Sequence, residues 1–218
     1  MGGMKHTPKP ASPIIPTVEE IERFVEEIGS DDLPTFGGKF VGGVFVQQIP
    51  DEIAPCIRTI LESGRPIDSY FELGVASGGM AYLANHFFRP EIMVLLDTNE
   101  HHRCASRPQV LVGIKHTEVI GKSGDDHVRN GVAALGHAYD AMMIDGDHLY
   151  PAVHRDVELY APFLRDGGFL ILHDSALPAW GVLRVAEELK ENPAFEFIGE
   201  WTSKTVKPCG VALFQKVA

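Results

Sequence analysis

The chain has few cysteines, no long apolar run and no excess of positive charge. Its three cysteines, Cys56, Cys104 and Cys209, are scattered and form no CxxC pair. That excludes a disulfide framework or a cysteine-ligated zinc as the basis of the fold. No stretch approaches the roughly 18 apolar residues of a membrane-spanning helix, and Met1 to Pro16 lacks the apolar segment of a secretory signal. The formal net charge is -11, from 19 lysines and arginines against 30 aspartates and glutamates. A field of that sign repels a nucleic-acid backbone. The expectation is a soluble, cytoplasmic protein that takes a small molecule and binds neither nucleic acid nor membrane, with homo-oligomer formation left open.

What is present is enough for one full core: 218 residues, 44% of them hydrophobic. Residues 1–16, with Pro8, Pro10, Pro13 and Pro16, read as a disordered lead-in. Residues 17–66 read as a helical and loop extension. There Thr17-Val18-Glu19-Glu20 fits a capping box, and Val18, Ile21, Phe24, Val25 and Ile28 share one helical face. The glycine-rich stretch 29–50 reads as a packed loop or short hairpin in preference to a mobile lid, and a second helix covers about 50–63. From residue 67 to 218 the pattern alternates. Strands are expected near 69–74, 92–97, 117–121, 140–145 and 168–173. Helices are expected near 78–88, 100–106, 124–136, 151–164 and 180–191. Such alternation predicts an α/β, doubly wound, mostly parallel sheet. Residues 195–201 and 209–215, with no helix between them, predict a closing antiparallel hairpin.

Two of the expected strands end abruptly in ionisable groups. Ala141-Met142-Met143-Ile144 runs into Asp145-Gly146-Asp147-His148, and Phe169-Leu170-Ile171-Leu172 runs into His173-Asp174. Ligands of open α/β sheets bind outside the carboxyl ends of the strands. Asp145, Asp147 and Asp174 would therefore crowd one crevice, where three carboxylates cannot all stay ionised without compensation. Proton sharing, a nearby imidazole (His148 or His173) and a bound cation all satisfy that requirement. Hard oxygen ligands suit Mg²⁺, an imidazole ligand widens the choice to Mn²⁺ or Fe²⁺, and zinc is disfavoured without cysteine. As general base, His148 comes first, because its ordinary pKa is near neutral, and Asp147 second.

The first core strand turns into its helix through Phe71-Glu72-Leu73-Gly74-Val75-Ala76-Ser77-Gly78-Gly79, and the next strand ends at Asp97. A carboxylate there suits ribose hydroxyls. The dinucleotide fingerprint G-x-G-x-x-G is not met, since Ala76 occupies the place of the glycine that faces a pyrophosphate. Glu72 beside the loop would repel a phosphate and attract an amine. The ligand indicated is a nucleoside carrying an amine.

The E-x-G-x-x-x-G-G turn, Asp97, the I-D-G-D-H stretch, the D-G-G-F-L-I-L-H-D stretch and the closing hairpin resemble class I S-adenosylmethionine-dependent methyltransferases. The nearer resemblance is to the small-molecule and sugar O-methyltransferase and cephalosporin-hydroxylase-like group. It covers about residues 67–218 and implies a seven-stranded sheet whose last strand is antiparallel. By that resemblance Glu72, Gly74 and Gly78 line the methionine end of the cofactor. Ala76, Ser77 and Asp145 also touch the cofactor, Asp97 holds the ribose, and Gly121-Lys122-Ser123 flanks the adenine. The divalent metal, Mg²⁺ first, falls to Asp145, His173 and Asp174; His173 departs from the all-acidic version of that set.

The implied activity is O-methylation of a hydroxyl on a sugar or natural product. A catalytically silent cofactor-binding protein and an iron-dependent oxygenase-type enzyme are the alternatives. Trp180 and Tyr150 are candidates for the acceptor pocket, and Asp156 for a brace beneath the site. His101-His102, His116, His127, His137 and His154 are set aside as surface or satisfied histidines.

Overall fold

The computed structural model describes residues 14–28, 46–205 and 207–217. The expected lead-in up to residue 13 and the glycine-rich loop over 29–45 lie outside them. α1 (Val18–Ile28) starts at the capping box: Thr17 N donates to Glu20 Oε2 at 2.8 Å, and Glu20 N donates to Thr17 Oγ1 at 3.2 Å. α2 (Pro50–Glu62) follows, then β1 (Ser69–Leu73), α3 (Gly79–Phe87) and β2 (Ile92–Asp97). The helix expected over 100–106 is instead a 3₁₀ turn at His102–Ser106 running into the one-turn α4 (Arg107–Val110). Next come β3 (Thr117–Ile120), α5 (Asp126–Ala134), β4 (Tyr139–Ile144), α6 (Tyr150–Tyr160) and β5 (Leu164–His173). The chain closes with α7 (Gly181–Lys190), β6 (Phe195–Trp201) and β7 (Val211–Lys216).

β5 begins earlier than the sequence suggests. Leu164 pairs with Tyr139 across an irregularity before regular pairing starts at Ala141 and Phe169. The intervening Arg165-Asp166-Gly167-Gly168 has the composition of a turn and forms that irregularity within the strand.

The seven strands lie in the order β3-β2-β1-β4-β5-β7-β6. The first five are parallel, and β7 enters antiparallel between β5 and β6. The chain therefore steps outward from β1 to β3 and then returns to lay β4 on the other side of β1. That reversal leaves a crevice at the carboxyl ends of β1 and β4, where ligands of such sheets bind.

Alternating side chains build two cores, one on each face of the sheet. Tyr70, Leu95, Met143, Ile171 and Leu213 face the layer with α1, α2 and α3, while Phe71, Leu96, Met142, Leu172 and Phe214 face α5, α6 and α7. Truncating a fully buried ring such as Phe71 to alanine costs about 3–5 kcal/mol. At the amino end of the sheet, Asp140 Oδ2 accepts from Asp68 N (3.0 Å), Ser69 N (2.9 Å) and Ser69 Oγ (2.8 Å), and Oδ1 accepts from Arg165 at 2.7 Å. This carboxylate pins β1, β4 and β5 together at the edge opposite the crevice. Among the described residues, no helix is long and apolar enough to cross a membrane.

Candidate active site

The ends of β2, β1, β4 and β5, in that order, carry Asp97, Gly74, Asp145 and Asp174 into one cavity of about 610 Å³. Ala76, Gly121, Lys122, Ser123, Asp147, His148, His173 and Trp180 line it as well. His101, set aside on sequence grounds, also reaches the wall. Glu72 and Ser77 line a smaller adjoining chamber. Gly78 sits at the start of α3 with φ 86°, beside Leu111.

Gly74 is required by a close backbone approach. Its φ is 84°, and a Cβ there would lie 2.0 Å from the carbonyl oxygen of Asp145, so any side chain would push the turn away from β4. Asp97 organises the same turn. Its Oδ2 accepts from Val75 N at 2.7 Å and Ala76 N at 2.8 Å, and its Oδ1 from Asn99 N at 2.6 Å. Ala76 is thereby held at φ 44°.

Arg107, 2% exposed, lies 3.2 Å from Asp97 Oδ2 and donates to Ala76 O at 2.9 Å and to Asn99 Oδ1 at 2.8 Å. Burial works to raise the Asp97 pKa, but the N–H donors and Arg107 outweigh it and hold the carboxyl below its ordinary value. The expected ribose carboxylate therefore faces the cavity with most of its accepting capacity already used, Oδ1 being the freer oxygen. Arg107 was missed in the sequence, where an arginine in a short polar segment carries no local signal of burial.

Ser123, expected at the adenine, donates its hydroxyl to Asp156 Oδ1 at 2.6 Å. Burial raises the Asp156 carboxyl to about 6. Asp156 thus braces the turn after β3 from beneath.

At the ends of β4 and β5 the carboxylates meet imidazoles. His173 Nδ1 lies 3.0 Å from Asp145 Oδ1 and 3.2 Å from Asp174 Oδ2. His148 Nε2 lies 3.0 Å from Asp174 Oδ2 and 3.6 Å from Asp145 Oδ1, without the alignment of a hydrogen bond. Burial alone would lower both imidazole pKa values. The two carboxylates reverse that, raising His148 to about 9 and His173 well above its ordinary value. Burial likewise works to raise Asp145 and Asp174, and the imidazoles bring both below the usual carboxylate range. Asp174 also holds a left-handed backbone, φ 63°, which costs an L-residue roughly 1–2 kcal/mol.

His148 is fixed from outside as well. Its ring stacks on Trp180 at 4.1 Å between centroids with 4° between planes, and Gly181 N donates to His148 O at 2.8 Å. Asp147 is exposed, and its Oδ1 accepts from Leu149 N at 2.9 Å. Tyr150 points away from the cluster to Glu188, with its hydroxyl 3.0 Å from Oε1.

The chemistry of this donor set fits a divalent cation. Asp145, His148 and Asp174 offer ligand atoms that all lie within 4.8 Å of one another, and carboxylate oxygens with imidazole suit Mg²⁺, Mn²⁺ or Fe²⁺. The converging imidazole is His148, whereas the expected set has His173. The Nδ1 of His173 is engaged with Asp145, and its Nε2 is buried without a partner among the described residues. A further residue here had no expectation attached. Gln48, just ahead of α2, donates from Nε2 to Asp145 Oδ2 at 3.0 Å. The only hint in the sequence is the polar pair Gln47-Gln48 between Val46 and Ile49.

Residues 71–175 match the family model described as a methyltransferase domain. No curated protein matches the chain. Among solved structures, a Staphylococcus aureus protein whose assignment as a caffeoyl-CoA O-methyltransferase is provisional superposes with a TM-score of 0.62 at 15% identity, over 92% of each chain. The O-methyltransferase TomG of Streptomyces achromogenes, solved with S-adenosylmethionine, gives 0.59 at 15% identity, over 76% of this chain and 81% of that one. The methyltransferase MycE of mycinamycin biosynthesis, solved with Mg, S-adenosylhomocysteine and mycinamycin VI, gives 0.55 at 16% identity, over 76% of this chain and 49% of that one. At these identities the superpositions show the fold. The family match runs from β1 to just beyond β5 and so contains every strand end that lines the cavity. Residues 71–175 are thus similar to a methyltransferase domain, and the chain has the Rossmann-like fold of the solved methyltransferases it superposes on.

Proposed function

We propose that this protein is an S-adenosylmethionine-dependent O-methyltransferase for a hydroxyl of a sugar or natural-product small molecule, assisted by a divalent cation, Mg²⁺ first. The observation that carries this reading is the Asp145–His148–Asp174 cluster in the same cavity as the Glu72–Gly79 turn and Asp97. Strands in a sheet lie about 4.8 Å apart, so Asp97 and Asp174 stand about three spacings, roughly 14 Å, from each other. That span takes a nucleoside at one end and an acceptor at the other. The cofactors of TomG and MycE, and the Mg of MycE, support the same ligands here.

S-adenosylmethionine supplies an electrophilic methyl group, and the cation supplies Lewis acidity. The chain's own residues do the rest. Gly74, Ala76, Ser77 and Gly78 shape the turn under the nucleoside, and Asp97 Oδ1 accepts from the ribose. Asp145 and Asp174 hold the cation, with His148 or His173 as the third contact. Without a divalent charge between them, the two carboxylates hold a proton on His148 Nε2. With His173 as the third contact, a divalent charge would weaken that hold and leave Nε2 free to take the acceptor's proton, a contribution of typically about 10²–10⁴ in rate; with His148 as the third contact, its Nε2 lone pair would be occupied and the base would be Asp147. Asp147, exposed on the same loop, is the second candidate base. Trp180 keeps the His148 ring in one plane.

Calorimetric titration with S-adenosylmethionine and S-adenosylhomocysteine, first with Mg²⁺ and then with EDTA, tests the proposal. Saturable binding of both nucleosides is expected. No binding of either would sink it.

A further inference from the structure

Two acids in the first turn of α2, Asp51 and Glu52, lie outside the walls of the cavity. Glu52 is fully buried, and its carboxylate takes three backbone N–H groups from the segment joining β6 to β7. Oε1 accepts from Ser203 N at 2.7 Å and Cys209 N at 3.0 Å, and Oε2 accepts from Gly210 N at 2.9 Å. Asp51 holds the outer part of the same segment, its Oδ2 accepting from Ser203 Oγ and Lys204 N, both at 3.1 Å. A carboxylate accepts at both oxygens, whereas an amide of the same shape accepts at one.

The peptide groups that Glu52 fixes lie against the end of β5 that carries the carboxylate and imidazole cluster. Cys209 and Gly210 lead into β7, which pairs with β5 so that Val211 stands opposite His173. Their carbonyls reach the turn beyond that strand: Ser175 N donates to Gly210 O at 3.3 Å, and Ala176 N donates to Cys209 O at 2.9 Å. Between these anchored amides and the strand stands Asp174, at φ 63°. An L-residue keeps that conformation only where its surroundings hold it. Gly210 lets the two segments come close, since a Cβ there would stand 2.6 Å from Ala176 N. A hydrogen-bonded chain therefore runs from Glu52, through the Cys209 and Gly210 peptides, to the backbone beside Asp174. Four residues ahead of Glu52, Gln48 donates to the other carboxylate, Asp145, at 3.0 Å. Both acids of the candidate cation site are thus tied to the start of one helix, which lies outside the matched residues 71–175.

Resting on the divalent-cation reading above, we infer that Glu52 is a positioning residue for the cation site. Through the Cys209 and Gly210 peptide groups it sets the backbone of Asp174, and with it the placing of the Asp174 carboxylate against that of Asp145. Glu52 touches neither the cation nor the methyl donor. Its loss therefore changes how well a cation is held and leaves the nucleoside end, three strands away at Asp97, as it was.

Glu52→Gln keeps the shape and turns one acceptor oxygen into a donor that faces backbone N–H groups. Mn²⁺ affinity of the whole protein, read from the paramagnetic resonance of the free ion, is expected to fall about 10–100-fold, the range for removing a support of a metal ligand. S-adenosylhomocysteine affinity, measured by calorimetry, should stay within twofold. Asp51→Ala loosens the segment at Ser203 and Lys204 without touching Cys209 or Gly210, so it should lower Tm and leave Mn²⁺ affinity within twofold. Gly210→Ala breaks the same chain from its other end and should weaken Mn²⁺ by the same range, which decides the matter if Glu52→Gln does not fold. Unchanged Mn²⁺ affinity, or equal falls in Mn²⁺ and S-adenosylhomocysteine affinity, would make Glu52 a plain fold contact and overturn the inference. So would an equal loss of Mn²⁺ affinity from Asp51→Ala. Failure of the unaltered protein to bind Mn²⁺ would instead overturn the cation reading, and the inference with it.

Discussion

Asp140 and Asp145 stand at opposite ends of β4, and the two ends use a carboxylate differently. Asp140 is surrounded by donors that cannot leave: two backbone N–H groups, the Ser69 hydroxyl and a guanidinium. Burial works to raise its pKa, and these partners hold it below the ordinary value. Asp145 meets groups that can change: two imidazoles whose protons depend on it, and an amide with an unmatched oxygen. The first arrangement is complete without a ligand and locks three strands. The second is balanced only by protons, so a cation or a ligand can replace them. Within one strand, the character of a carboxylate's partners separates holding from exchange.

The largest test of that contrast removes the exchanging carboxylates. Asp145→Asn combined with Asp174→Asn should weaken Mn²⁺ binding by more than about 100-fold, since removing mere supports of metal ligands already costs about 10–100-fold. Paramagnetic resonance of free Mn²⁺ measures it, and unchanged affinity would refute the assigned ligands. Gly74→Ala comes next. A Cβ there would meet the Asp145 carbonyl at 2.0 Å, so β1 and β4 must part at the site, and S-adenosylhomocysteine affinity should fall at least about tenfold.

Single histidine variants sharpen the assignment between the two imidazoles. His148→Ala should cost more Mn²⁺ affinity if the converging set is the ligand set. His173→Ala should cost about 10–100-fold as the loss of a support to Asp145. A larger loss from His173→Ala than from His148→Ala would return the third contact to His173.

At the other end of the strand, Asp140→Asn should destabilise the fold by about 1–3 kcal/mol, a fall of several degrees in Tm for a chain of this size. Mn²⁺ and S-adenosylhomocysteine affinities should stay within twofold.

The smallest expected effect is in pH. The folded pKa of His148 is raised to about 9, above the value near 6.5 of an unfolded chain. Its contribution to stability is therefore complete below about 6.5 and lost as the pH rises to about 9. Metal-free protein should show that loss in denaturant melts, and His148→Ala should show less of it. Added Mg²⁺ should reduce the loss, because the cation replaces the proton. Identical pH profiles for the two proteins would contradict the ion pairs at Asp145 and Asp174.

Much of the fold was legible because it is written locally. The capping box at Thr17 and Glu20 and the apolar runs into Asp145 and Asp174 each name their element within a few residues. The misread parts are those decided at a distance. Arg165 to Gly167, ahead of the expected strand, belong to β5 as an irregularity between the Leu164–Tyr139 and Phe169–Ala141 pairs. Residues 100–106 look helical but wind as a 3₁₀ turn that carries Arg107 under Asp97. In the site, the acids and imidazoles were visible because strand ends expose them. Their partners were not: the hold of Asp97 on Val75 and Ala76 and of Gln48 on Asp145 joins segments that meet only after the sheet forms. Exposed His101 shows the converse, since position on a loop says nothing about which wall it joins.

The most direct test of a single site with a donor half and a metal half is nuclear relaxation of S-adenosylmethionine carrying a ¹³C methyl, bound to the protein with substoichiometric Mn²⁺. The account predicts strong broadening of the methyl signal, reversed by EDTA and absent from the Asp145→Asn, Asp174→Asn double variant. A bound methyl signal that Mn²⁺ leaves sharp would contradict it.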